Sequence, residues 1–156
     1  MVNKQPEPLE RSEVLDLYKL AVEMADRVSA RRGSANAFFL SVQSALVTLI
    51  GFGTPKLSQS PWWVSLAVAL AGCTLSATWW MQLRSYRNLN TAKFTVINKL
   101  EEDLSVKIYT HEWQALKSEP TPSQRKRYVE LGASERVVPL VFAVAHLILF
   151  VGTLTV

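Results

Sequence analysis

Hydrophobic and polar positions are not mixed evenly along this chain. Residues 33–55 contain no charged side chain, residues 57–81 contain none, and neither do residues 137–156. Each stretch supplies the roughly 20 apolar residues that a helix needs to cross the ~30 Å hydrocarbon core of a bilayer. The pattern predicts an all-α integral membrane protein with three transmembrane helices, over 33–55, 61–81 and 137–156. Helical extensions at 1–32 and 82–136 complete it. No short apolar segment near Met1 precedes the first run. That run is therefore expected to be a retained signal anchor rather than a cleaved signal peptide.

The polar segments also carry a helical period. Val14, Leu17, Tyr18, Ala21, Met24, Ala25 and Val28 recur at steps of three and four, opposite Glu13, Lys19, Glu23 and Arg27. This stripe needs a cover. Either the chain's own second extension supplies it, or another subunit does, with Val14, Leu17, Ala21 and Val28 as the oligomer contacts. No breaker stands between Pro8 and Gly33, so the helix is expected to run straight into the first span. Residues 82–119 also lack Gly and Pro, and Leu83, Tyr86, Leu89, Ile97, Leu100, Leu104 and Ile108 keep helical spacing. An unbroken helix of about 37 residues and about 55 Å is predicted there. Pro120 and Pro122 end it, and a short basic helix over 123–131 with a joint at Gly132 precedes the third span.

Charge changes the picture by giving it a direction. Of 17 Lys and Arg, Lys56 alone lies in the link between the first two runs, and the others, with all 13 Asp and Glu, lie in the two extensions. Lys and Arg favour the cytoplasmic side of a membrane. The expected topology has a cytoplasmic N-terminus and an external C-terminus. Trp62 and Trp63 at one end of the second run and Trp79 and Trp80 at the other are the expected membrane-interface residues, since their separation along a helix is roughly 27 Å. The basic run Arg125-Lys126-Arg127 reads as a topology determinant beside anionic lipid, and no nucleic-acid partner is expected.

Candidate chemistry is sparse. No metalloprotease, phosphate-loop or serine-hydrolase motif occurs, and Cys73 is the one cysteine. No enzymatic activity, cofactor or metal is expected. Glu101-Glu102-Asp103 and His111-Glu112 read as solvated helix faces. Ser34, Ala37, Ser41, Ser44, Thr48 and Gly51 form a stripe of small residues down the first run, suited to close helix packing or to a narrow wet wall. Gly72 and Ser76 repeat the motif briefly. Gln43 lies off the stripe and needs a partner of its own. His146 sits at the midpoint of the third run, ten residues from Arg136, too far to reach an interface. It must face protein or water. One reading is a neutral imidazole hydrogen-bonded to Gln43, Ser44 or Thr74; the other is a protonatable constriction in a pore.

The stretch LYKLAVEMADRVSARRGSANAFFLSVQSALVTLIG, from Leu17 to Gly51, resembles the RipA family of octameric bacterial membrane proteins. In layout the chain is similar to SLATT-type small membrane effectors. The resemblance implies a homo-oligomer, an octamer, in a bacterial inner membrane, and for the effector relatives a role in phage defence. It supplies no catalytic residues. Two functions remain open: a ring that forms or gates a pore, with Ser41, Gln43, Ser44, Thr48 and His146 as pore or interhelical contacts, or a non-conducting scaffold that recruits a cytoplasmic partner.

Overall fold

The computed structural model describes residues 10–118 and 122–155, with side chains other than those of residues 113 and 116–134. The described residues form four helices: α1 (Arg11–Leu57), α2 (Trp62–Glu101), α3 (Ile108–Ser118) and α4 (Pro122–Thr155). Three of them contain a stretch long and apolar enough to cross a membrane. The segments expected at residues 1–9 and the Arg125–Arg127 side chains lie outside the described residues.

α1 runs without interruption from the first extension through the first span, as its lack of breakers predicts. The Glu10 N–H donates to the Glu13 carboxylate at 3.1 Å, which places an acid at the positive end of the helix dipole. α2 packs along both α1 and α4 and is the centre of the bundle; α1 and α4 touch each other less. An ion pair between Arg32 and Glu135 ties α1 to α4 where the apolar runs begin.

Two apolar clusters hold the helices. One lies in the polar half: Tyr18, Ala25 and Ile97 are buried there, with Ala21, Val22, Phe94, Leu100, Leu104 and Tyr109 against them. The other lies inside the spans, where Phe39, Trp79 and Leu83 are covered by Val138 and Phe142. Phe39 stacks on Trp79 with centroids 5.8 Å apart, and Phe142 tilts against the same indole at 6.0 Å.

Two expectations fail. The helix predicted over 82–119 breaks at 102–107, where i→i−3 bonds from Glu102, Asp103 and Leu104 tighten the end of α2. No Gly or Pro lies at this break; the Glu101 carboxylate bonds the first N–H groups of the next helix across it. The joint expected at Gly132 is also absent, because α4 continues through it. A glycine inside a helix costs about 1 kcal/mol and does not by itself end one.

Candidate functional site

A polar bridge fastens all three spans at their middle. Gln43 on α1 is fully buried. Its amide nitrogen donates to the Ser76 hydroxyl at 2.7 Å and to the Gly72 carbonyl at 3.2 Å, both on α2. Its amide oxygen lies 2.8 Å from His146 Nε2 on α4. Ser76 completes the set by donating to the Gly72 carbonyl at 3.0 Å. The orientation follows from chemistry: a backbone carbonyl only accepts, so the amide nitrogen must face Gly72. The amide oxygen then faces His146, whose Nε2 must carry a proton.

Gly72 has a second role. A Cβ on it would overlap the His146 ring, so only glycine lets α2 approach α4 this closely. Of the partners expected for His146, Gln43 is the one used. Thr74 instead donates to the Leu70 carbonyl of its own helix at 2.7 Å, and Ser44, like Thr74, is exposed.

One turn nearer the charged end, Trp79 is 1% exposed and its Nε1 donates to Asn36 Oδ1 at 3.0 Å. Of the four tryptophans expected at the interface, this one faces inward. Trp62, Trp63 and Trp80 face outward, and the Arg84 guanidinium lies over the Trp80 ring at 5.7 Å.

The small-residue stripe lies elsewhere. Ser34, Ala37, Ser41, Ser44, Thr48 and Gly51 are all exposed on the single chain. Ser41 and Thr48 bond only to their own helix, at the Ala37 and Ser44 carbonyls. The extension stripe divides in two. Val14 and Val28 are buried within the chain, and Ala21 packs on the cluster that holds Ile97 and Phe94 of the second extension. Leu17, Leu20 and Met24 are 42%, 52% and 47% exposed and run along a neighbouring face.

The polar half holds a second buried group that pattern reading misplaces. Glu101, expected on a solvated face, is fully buried. Its carboxylate accepts from the Tyr18 hydroxyl at 3.0 Å, the Tyr109 N–H at 2.8 Å, the Thr110 N–H at 3.1 Å and the Thr110 hydroxyl at 3.0 Å. It thus caps the start of α3 from the end of α2 and ties both to α1. Burial alone would raise the Glu101 carboxyl. The bonds from Tyr109, Thr110 and Tyr18 outweigh it and hold the group below its ordinary range. Tyr18 is pushed up to about 12, by burial first and then by its bond to Glu101. Burial, then the charges of Asp26, Glu112 and Glu101, raises Tyr109 as well. The signal was present in the sequence: Phe94, Ile97, Glu101 and Leu104 share one face at steps of three and four, so the acid occupies an apolar position.

Three apolar spans fastened by internal hydrogen bonds, with amphipathic extensions at one end, define a polytopic α-helical membrane protein. Residues 15–155 match the model of the octameric membrane protein family, 8xMP. The chain belongs to that family and is a homo-oligomeric membrane protein. No curated protein and no solved structure gives a significant match.

Proposed function

We propose that the chain forms a ring in a bacterial inner membrane, with its charged extensions in the cytoplasm, that opens or gates an aqueous path. The exposed hydroxyl face of α1 carries this reading. Eight helices, one per subunit, at the usual 8–10 Å spacing stand about 10–13 Å from a ring axis. Subtracting a helix half-width of about 5 Å leaves an opening of roughly 5–8 Å radius. In a bilayer such a space fills with lipid or with water. A wall of Ser41, Ser44 and Thr48 suits water, whereas Phe38, Leu49 and Phe52 on adjacent positions suit acyl chains or neighbouring subunits. His146 is not part of this wall, because it bonds to Gln43 inside its own subunit. The resemblance to RipA proteins and to SLATT-type effectors supports a stress or defence role for such a path. The mechanism is non-enzymatic.

In this reading Leu17, Leu20 and Met24 meet the next subunit. They are large apolar groups in water, where exposure is costly, and an octamer offers them a second copy. The scaffold reading is favoured by a different feature. A groove of about 470 Å3 between α1 and α3 is floored by Val22, Ile108 and Tyr109 and edged by Glu23, Asp26 and Glu112 against Lys19, the single cation among its described lining residues, a net acidic rim that fits a basic partner segment.

Ion flux across liposomes containing the octamer tests the pore. Wild type is expected to leak, and Ser44→Phe to leak at least tenfold less while remaining octameric. An intact wild-type octamer that passes no ions refutes the pore and leaves the scaffold.

A further inference from the structure

We propose that each subunit holds one ordered water molecule inside its own three-helix core, bonded to His146. The inference starts from the proton count in the bridge. Because the Gly72 carbonyl fixes the Gln43 amide, Nε2 of His146 carries a proton, and an imidazole buried among apolar side chains and a neutral amide is held uncharged. Nδ1 is then a bare lone pair. The His146 side chain is 1% exposed, and no group among the described residues bonds to Nδ1.

Immediately beside the ring, toward the α1–α2 link, lies a cavity of about 10 Å3 whose polar borders are His146, Ser65 and Thr153, the other lining residues, among them Ile50, Leu57 and Phe150, being apolar. That volume is about the least that admits one water. A buried water also needs two to four polar partners, and the walls supply three. The Ser65 residue is buried, and its hydroxyl makes no hydrogen bond among the described residues. The Thr153 hydroxyl donates to the Phe150 carbonyl at 2.7 Å and keeps its lone pairs. A water here donates to Nδ1 and to Thr153 and accepts from Ser65. It removes the desolvation penalty of an unpaired imidazole nitrogen in a hydrocarbon environment.

The cavity lies on the link side of the bridge. On the other side the Phe39–Trp79–Phe142 stack fills the space between the helices. A water beside His146 therefore sits on the link side of the bridge, away from the aromatic stack.

Solid-state NMR of the octamer in bilayers, with histidine labelled with nitrogen-15, reads this directly. Magnetisation transfer from water protons to the His146 ring is expected, with Nδ1 unprotonated and Nε2 protonated. In Ser65→Ala, which removes the hydroxyl without adding bulk, the water transfer should fall several-fold while the Nε2–H signal bonded to Gln43 stays. The exposed His111 is the internal control for water contact. Transfer to His111 without transfer to His146 in the wild type overturns the proposal, as does a ring protonated at Nδ1. Because the wild-type measurement alone decides, a variant that folds poorly does not protect the idea.

Discussion

Replacing Glu101 by Gln should release α3 without melting the spans. The carboxylate serves four donors, two on each oxygen. The amide keeps one oxygen, enough for Tyr18 and the Tyr109 N–H, although both bonds lose their charged acceptor. Its NH2 then faces the Thr110 N–H, donor against donor. A bond to a charged group contributes about 1.5–3 kcal/mol and a neutral one about 0.5–1.5 kcal/mol, and an orphaned buried donor costs about 1–3 kcal/mol. The expected loss is about 3 kcal/mol, or roughly 100-fold in the opening equilibrium at 1.4 kcal/mol per decade. Amide hydrogen exchange on the reconstituted protein measures it. Tyr109 and Thr110 should exchange roughly 100-fold faster, while amides of α2 inside the span stay protected. Acid should reproduce the effect in the wild type. The Glu101 carboxyl is held below its ordinary value near 4.5. Its contribution is fully present above that value and is lost as pH falls through the lower folded value. Unchanged exchange in the variant, or docking of α3 that ignores acid down to complete protonation, would refute the capping argument.

Gly72→Leu should separate α2 from α4, since even a Cβ overlaps the His146 ring, and lower the thermal midpoint of the detergent-solubilised protein by several degrees. Gln43→Leu strips a partner from His146, Ser76 and the Gly72 carbonyl together; interhelical bonds in membranes average about 0.6 kcal/mol each, so a loss of about 1–3 kcal/mol is expected in unfolding assays. Leu20→Glu should leave the helical content seen by circular dichroism intact and shift the octamer toward smaller species on size exclusion. Tyr18 should give up its proton only near pH 12 in a spectroscopic titration, and stability should fall as pH rises from about 10, where the unfolded phenol titrates, to that value.

The membrane spans were legible because uninterrupted apolar runs have few other physical outcomes. The link between Gln43 and His146 was legible for a related reason. Two isolated polar groups at mid-span in separate helices have few ways to avoid lipid. Glu101 was hidden by its neighbours, since three consecutive acids look like solvated surface unless the face of each is followed. The break at 102–107 was hidden with it, because no helix breaker marks it and the bond across it comes from a side chain reaching eight residues ahead. The cover of Leu17, Leu20 and Met24, and of the Ser41–Thr48 face, is not supplied within one copy of the chain, so no pattern within that copy resolves it.

α1 has a mechanical consequence. It is a single helix of 47 residues, about 70 Å long at 1.5 Å per residue, and its one proline, Pro55, lies in the last turn. Kinks arise at prolines and at Gly/Ser pairs such as Gly33-Ser34, and α1 passes through that pair from its polar half into its span without a break. It behaves as a stiff lever. A tilt of about 5° over that length displaces one end by about 6 Å relative to the other. A load applied to the extension, such as a partner pulling on α3 or the groove beside it, is transmitted to the hydroxyl face of the span as displacement instead of being absorbed along the way.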